Sequence, residues 1–193
     1  MTMQTTARAE VITAPAEEPL TLAEVRDHVE LASGDTSHDT ELTRAVEDAR
    51  QQWEQDTGEH FISRTMRLTM DRLCEMQFPH RPVSAIASIK YYDLSNTQQT
   101  LSSSVYQLDT PNNRLRLAYD QDWPTTLDRW DAVEINYTLG SHADSTTVPA
   151  VAKRAMLLLV GYYFRANKGD DDRAYDLQAY ERLVAKYMRS TYP

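Results

Sequence analysis

The stretch PAEEPLTLAEVRDHVELA, residues 15–32, combines a helix-breaking proline with the signals that begin a helix. Pro19 is excluded from a helix interior because its ring clashes with the preceding turn and it has no N–H to donate. Thr21 is a good N-cap, and Glu24 follows three residues later, at the spacing of a capping box. Apolar residues then recur at roughly helical spacing among charged ones. The stretch therefore predicts an amphipathic helix from about Thr21 to Ala32.

A second helix is predicted immediately after the first. Asp39 is a plausible N-cap for it, and Gly58 is a natural C-terminal stop. Between them, apolar residues recur at i, i+3, i+4, i+7 and i+11, which places them on one face of a helix. These residues are Leu42, Ala45, Val46, Ala49 and Trp53.

In the middle third of the chain the hydrophobic period changes from helical to two. Strict alternation of apolar and polar residues is typical of strands with one buried face. It occurs at residues 65–71, 89–92, 114–117 and 133–139. Turn signals separate these segments, at Asp93–Thr97, Pro111–Asn113 and Gly140. The middle third is therefore predicted to be a small antiparallel sheet.

Helical patterns return after Pro149, which suits the first turn of a helix over residues 149–167. The run Ala155–Phe164 is apolar on every side, which is typical of a helix buried in a core or under neighbouring subunits. A last helix is predicted over residues 174–189. Its apolar face would carry Leu177, Tyr180, Leu183 or Val184, and Tyr187.

This order of elements predicts an α+β fold, in which N- and C-terminal helices form a helical bundle and a small antiparallel β-sheet is inserted between them. Residues 1–14 show no periodicity and are interpreted as an N-terminal arm. The predicted parts are then an N-terminal helical part at 15–60, a β region at 61–147, a C-terminal helical part at 148–190 that forms one unit with the first, and a tail at 191–193.

Composition limits the classes of protein to consider. The 193 residues suit one domain, or one domain with an insertion. With 29 acidic and 20 basic residues the formal net charge is −9, which argues against a nucleic-acid-binding surface as the main feature. A single cysteine, Cys74, forms no intrachain disulfide and fits a cytoplasmic origin. No signal peptide is visible, and the longest apolar run is half of the ~20 residues that a membrane span needs.

The charge is unevenly distributed along the chain. Residues 10–59 hold 14 acidic and 3 basic residues, a net charge of −11. Residues 148–193 hold 8 basic and 5 acidic residues, a net charge of +3. One interpretation is an ordinary solvated acidic face. The other is that the two segments form complementary faces on neighbouring subunits, where charge sets the orientation of the partners.

Tyrosine is concentrated at the C-terminal end. Of the 11 tyrosines, six lie in the last 32 residues. Tyrosine is enriched at protein interfaces, but it serves equally well in an aromatic core under the last helix, and both roles stay open here. The six are Tyr162, Tyr163, Tyr175, Tyr180, Tyr187 and Tyr192.

The residues point to no catalytic, cofactor-binding or metal-binding site. No two of the five histidines have the spacing of metal ligands, and Asp170–Asp172 lacks the alternating spacing of a calcium loop. The five glycines form neither a GxGxxG nor a GxxxxGK[ST] pattern, and no Gly-x-Ser-x-Gly elbow is present. The chain is therefore not expected to be an enzyme.

Several segments, in order, resemble the head–tail connector (adaptor or head-completion) family of tailed phages and gene transfer agents. VITAPAEEPLTLAEVRDHVELA (11–32) resembles the family's N-terminus. Residues 39–62, which end in WEQDTGEHFI, resemble its second helix and the turn into the first strand. PVSAIASIKYYD (82–93) is similar to its central strand. DAVEINYTLG (131–140) and VPAVAKRAMLLLVGYYF (148–164) resemble its last strand and long apolar helix, and AYERLVAKYMRS (179–190) its closing helix. The resemblance covers residues 11–190.

This resemblance implies a structural virion protein, made in the host cytoplasm and located in the neck between capsid portal and tail. Such proteins form a ring, commonly of twelve subunits, that extends the DNA channel beneath the portal and offers a platform to a stopper or tail-completion protein. DNA would pass through without sequence-specific binding, along a wall that lacks a cluster of Lys and Arg. An alternative is a small soluble enzyme or regulatory binding protein.

The resemblance also implies where the portal is bound. In relatives the C-terminal segment commonly reaches the portal, which makes residues 186–193 the docking segment of this chain. The candidate docking residues are Tyr187, Met188, Arg189, Tyr192 and Pro193.

Overall fold

The computed structural model describes residues 7–32, 34–168 and 173–191, and in this part of the chain it shows four α-helices and two antiparallel sheets, as expected for an α+β fold. Side chains are described for these residues except 166–168, 173, 174 and 189–191. The chain divides into two units. Residues 17–62 and 142–193 form the helical unit, and residues 1–16 and 63–141 form the β unit.

The helical unit contains α1 (Leu22–His28), α2 (Asp39–Thr57), α3 (Ala150–Lys168) and α4 (Arg173–Thr191). The predicted apolar face of α2 is confirmed, since all five of its residues are buried. They pack with buried residues of α3 and with Tyr180 of α4 in one hydrophobic core. The half-buried members of α4 on this core are Leu177, Leu183, Val184 and Tyr187.

The start of α1 is confirmed and its end is not. Thr21 and Glu24 form the predicted capping box: the Glu24 N–H donates to Thr21 Oγ1 at 3.3 Å, and the Thr21 N–H donates to Glu24 Oε2 at 2.8 Å. The helix ends at His28 instead of Ala32, because Glu30 adopts a left-handed conformation with φ 61°. The Leu31 N–H then bonds to the Arg26 carbonyl and the Glu30 N–H to the Asp27 carbonyl, a Schellman motif formed without glycine.

For α2 the outcome is the reverse: the predicted end is confirmed and the predicted start is not. Gly58 stops the helix as predicted, in a left-handed conformation with φ 67°. The predicted N-cap, Asp39, is wrong: it is the first helical residue, and His38 occupies the cap position without a side-chain cap bond. Both carboxylate oxygens of Asp39 instead accept from Arg26 of α1, each at 2.6 Å from Nη2. The carboxylate therefore joins two helices and does not cap its own.

The β unit contains a five-stranded sheet and a three-stranded sheet. The order in the larger sheet is β1–β2–β8–β4–β5, and in the smaller one β3–β7–β6, with antiparallel pairing throughout. The strands are β1 (Ala7–Thr13), β2 (Arg64–Met70), β3 (Met76–Gln77), β4 (Val83–Tyr92), β5 (Gln98–Thr100), β6 (Tyr106–Asp109), β7 (Arg114–Leu117) and β8 (Val133–Leu139).

All four segments predicted from strict alternation correspond to strands, namely β2, β4, β7 and β8, and each of these strands has a strand on both sides. In β2 the buried residues are Met66, Leu68 and Met70, and every second residue of β8 from Val133 to Leu139 is fully buried. The N-terminal arm differs from its prediction, because residues 7–13 are an edge strand paired with β2. Ala7, Ala9 and Val11 do alternate with Arg8 and Glu10, but the pattern rests on small alanines and Ile12 interrupts it. No side chain of this edge strand is fully buried, and Val11 is 53% exposed.

No helix among the described residues is long and apolar enough to cross a membrane.

Candidate assembly surfaces

The candidate docking residues lie on the last turns of α4. Tyr187 is held within the helical unit: its ring centroid is 5.1 Å from that of Trp53, and its hydroxyl donates to Glu59 Oε2 at 2.7 Å. Met188 is half-buried, and Arg189 lies in the helix, which runs two residues further than predicted. Tyr192 and Pro193 lie outside the described residues. The docking role of these five residues stays a prediction. Among them, Tyr187 already makes contacts within the chain, to Trp53 and Glu59.

Tyr180 is a second tyrosine that fastens α4 to α2. It is 3% exposed, and its hydroxyl donates to Asp56 Oδ2 at 2.6 Å. Burial raises the pKa of the Tyr180 hydroxyl, and the bond to the Asp56 carboxylate raises it further, so the phenol stays protonated. Tyr175 differs, because it is 73% exposed. The C-terminal tyrosines therefore divide between a core role and a surface role.

Helix α3 is not buried on every side within one chain, so the interpretation that the core alone buries its apolar run is wrong, and burial under neighbouring subunits stays a prediction. Ala155, Met156, Leu159 and Val160 are buried, whereas other members of the run are only half-buried. The half-buried members are Leu157, Leu158, Tyr162 and Tyr163. Part of the apolar surface of α3 thus stays accessible, and it lines grooves on both sides of α4.

One pair of charges already joins the acidic and basic segments within the chain. Lys153 Nζ donates to Glu24 Oε1 at 2.6 Å, next to the capping box. Burial alone would raise the pKa of Glu24, but the hydrogen bonds from Lys153 and Thr21 outweigh it, and the pKa lies below its usual value. Arg165 of the basic segment likewise pairs with Asp176. These two cations are therefore not available to a neighbouring subunit.

A groove between α3 and α4 carries cations that remain available. Arg154, Arg182 and Lys186 line it and are exposed, and none of them has an acidic partner in the described part of the chain. We call this surface the basic groove. Its remaining lining residues are Leu158, Tyr175, Gln178, Ala179 and Leu183. No acidic side chain is among them, so the groove attracts negative charge.

The exposed side of α2 has the opposite character. Glu47 and Asp48 are exposed and have no hydrogen-bond or ion-pair partner among the described residues. Gln51 and Gln55 continue the same exposed side on the next turns, and Arg44 is the one base beside it. We call the surface of Glu47, Asp48, Gln51 and Gln55 the acidic ridge. Most other acids of α2 are engaged within the chain, as in the pairs of Arg50 with Glu54 and of Arg26 with Asp39.

The described residues contain no group of three or more His, Cys, Asp or Glu side chains that could hold a metal ion. Cys74 is half-buried and packs against the core of the β unit.

Solved structures with the same fold come from gene transfer agent particles. A chain from the neck of an empty GTA particle, computed with C6 symmetry, is 25% identical, with a TM-score of 0.70 over 82% of this chain and 84% of that one. A chain from the virion of a native gene transfer agent particle is 23% identical, with a TM-score of 0.68 over 81% of this chain and 84% of that one. A chain from the neck of a native GTA particle, computed with C12 symmetry, is 22% identical, with a TM-score of 0.65 over 82% and 83%.

No protein-family model matches the chain, and no curated protein matches it either. The matched structures cover more than four fifths of the chain, and so include parts of both units. The resemblance noted in the sequence is thereby confirmed as a shared fold. The chain has the fold of a gene transfer agent neck protein, consistent with the head–tail connector family that its sequence resembles.

Proposed function

We propose that this chain is a structural protein of a virion neck, a head–tail connector whose copies form a ring of about twelve under the portal protein. The observation that carries the proposal is the match of 82% of the chain to a chain of a GTA neck at a TM-score of 0.70. The C6 and C12 symmetries named for the two neck structures support a ring. A ring needs a heterologous interface, in which one face of a subunit meets a different face of the next.

The ring would extend the DNA channel of the portal and offer its other side to a stopper or tail-completion protein. DNA would slide through without sequence-specific binding, because a wall without a cluster of Lys and Arg has little affinity for a polyanion. The net charge of −9 supports this part of the proposal. The neck of the virion is then the location of the assembled protein.

A small soluble enzyme or regulatory binding protein is the alternative. A regulator that reads DNA needs a basic recognition helix, and the exposed side of α2 is acidic. An enzyme needs titratable groups that converge in a pocket. Two tyrosines with raised pKa values, Tyr163 and Tyr180, line the groove between α2 and α4. Burial is the main cause of both shifts, as expected for tyrosines that pack on a core. The connector proposal therefore has the stronger support.

The proposal is tested by the mass and shape of the particle that the full chain forms with the portal protein. We expect rings in negative-stain electron micrographs and a mass about twelvefold the 22.1 kDa of one chain, attached to the portal. A chain that stays a 22.1 kDa monomer in the presence of the portal would contradict the proposal.

A further inference from the structure

We propose that the basic groove of one subunit receives the acidic ridge of a second copy of this chain. The cations Arg154, Arg182 and Lys186 of one copy would face Glu47 and Asp48 of the next. This inference rests on the proposed function, since it names the contact that joins neighbouring subunits of the ring.

The groove has the composition of an interface and not of ordinary solvated surface. Three exposed cations surround a floor of half-buried Leu158 and Leu183, and the exposed Tyr175 stands at the same groove. Arg and Tyr are enriched at interfaces because each combines a large contact area with directed hydrogen bonds. Like-charged side chains collected along one groove repel one another, and an acidic partner removes that repulsion.

The spacing of these residues fits a helix as the partner. On α4 the lining positions from Tyr175 through Gln178 and Arg182 to Lys186 recur every three or four residues, so they form one face. Arg154 and Leu158 have the same spacing on α3. A channel between two helices accepts the ridge of a third one, as in ridges-into-grooves packing.

The acidic ridge supplies such a helix. Glu47, Gln51 and Gln55 follow one another at intervals of four residues along α2, with Asp48 beside them. All four are exposed, and the two carboxylates have no hydrogen-bond or ion-pair partner among the described residues. The glutamines can both donate and accept hydrogen bonds, so the ridge can satisfy polar groups along the whole groove.

The two surfaces of one chain do not meet each other. The side of α4 that packs toward α2 carries Tyr180 and Val184, and with Gln52 and Asp56 these residues line a different groove. The basic groove lies on the other side of α4, where α2 contributes no residue. Two complementary surfaces that cannot pair within a chain can pair between chains, head to tail, which is the interface that a closed ring requires.

The test is an exchange of charge between the two surfaces in the full chain, read as ring formation with the portal protein. Arg182→Glu with Lys186→Glu makes both surfaces acidic, and Glu47→Lys with Asp48→Lys makes both basic. Each double variant alone should need more than about tenfold higher concentration to form rings, because like charges then face each other. An equal mixture of the two should form rings again, since every interface then joins opposite signs. The gain on mixing should weaken as salt rises.

A control variant distinguishes an effect of the basic groove on ring formation from an effect of the net charge of the chain. Arg114→Glu with Arg116→Glu, on exposed positions of β7, changes the charge by the same amount and should leave rings intact. If a reversed variant has lost helical circular dichroism, Arg182→Gln with Lys186→Gln replaces it and should also weaken ring formation.

The outcomes distinguish this inference from the proposed function. Rings that form normally from the Arg182 and Lys186 variants, or a mixture that stays unassembled, overturn the inference and leave the proposed function standing. If the variants form normal rings that no longer bind the portal or DNA, then the basic groove binds the portal or DNA and not a second copy of the chain. That outcome also overturns the inference. If the wild-type chain forms no ring with the portal, the proposed function itself is wrong.

Discussion

A single buried amide, Asn113, binds three backbone groups of one segment, residues 78–83, in the β unit. Its Nδ2 donates to the carbonyls of His80 at 2.7 Å and Phe78 at 3.3 Å, and its Oδ1 accepts from the Val83 N–H at 2.8 Å. Its backbone is left-handed, with φ 57°, a conformation that Asn tolerates better than most residues. Asn113 therefore fixes the start of β7 to the segment that enters β4.

We predict that Asn113→Ala lowers the free energy of unfolding by about 3 kcal/mol, since it leaves buried backbone groups without partners and adds left-handed strain. Asn113→Gly should recover roughly 1 kcal/mol of this loss, because glycine removes the strain but not the unmade bonds. Denaturant unfolding measures both. The exposed neighbour Asn112 is the control, and its alanine variant should change stability by less than about 0.5 kcal/mol. Equal stability of Asn113→Ala and wild type would show that the amide network is not formed.

His28 of α1 is the residue from which we expect pH dependence. Its Nε2 is buried and has no hydrogen-bond partner among the described residues. Burial lowers the pKa of the imidazole below 6.5; Asp176 and Asp27 oppose this effect, and Arg165 adds to it. Between that lowered pKa and pH 6.5 the unfolded chain binds a proton that the folded chain does not.

Stability should consequently fall as the pH decreases below 6.5, and this loss should be smaller in His28→Gln. The measurement is the free energy of unfolding at several pH values between 7 and 5, in wild type and variant. Other histidines contribute equally to both proteins, so the difference between the two curves isolates His28. Parallel curves would contradict the prediction.

At the scale of elements, helix α1 begins with a capping box that also receives Lys153 of α3. We predict that Thr21→Ala lowers the free energy of unfolding by about 1 kcal/mol, since the Glu24 N–H loses its acceptor. Thr43→Ala is the matched control. Thr43 is exposed inside α2, where alanine is the better helix former, so this change should be neutral or slightly stabilising. A thermal unfolding series measures both, and a Thr21→Ala variant as stable as Thr43→Ala would contradict the role of the cap.

The sequence predicts correctly the helices and strands in which burial of one face imposes a regular hydrophobic pattern. Helix α2 has a complete apolar face, and β2 and β8 lie inside the sheet with buried alternate residues. Alternation indicates only the second half of β4, because two register shifts between Val83 and Ser88 interrupt the pattern. Strand β1 is an exposed edge, and β3 and β5 have only two and three residues, too few for a period to show.

At the scale of the molecule, the sequence predicts the sign of each charged segment but not which charges remain free. Lys153 and Arg165 belong to the basic segment, yet both are neutralised inside the helical unit. Arg154 of α3 is distant in sequence from Arg182 and Lys186 of α4, and it shares a groove with them only because α3 and α4 pack together. The basic groove therefore depends on tertiary packing, which a single sequence does not display.

The same packing decides where the docking tail can begin. Removing Tyr187 would expose Trp53, a core residue that is 1% exposed. A deletion that includes position 187 would therefore lower the stability of the chain, and a loss of portal binding could not be assigned to the tail. We predict that deletion of residues 189–193 leaves the melting temperature within about 2 °C of wild type and leaves ring formation intact, because the cut keeps Tyr180, Tyr187 and the other α4 residues that pack on the hydrophobic core.

If the tail docks on the portal as we propose, binding of the truncated ring to the portal protein should nevertheless weaken by more than about tenfold, since the deletion removes anchoring side chains. Co-sedimentation of rings with portal measures it. Tyr187→Phe separates the candidate docking residue Tyr187 from the tail: it loses the bond to Glu59, about 1 kcal/mol of stability, and unchanged portal binding in this variant would assign docking to residues beyond Tyr187. Portal binding that survives the deletion would contradict docking by the tail and would direct the search to the exposed surfaces of the two units.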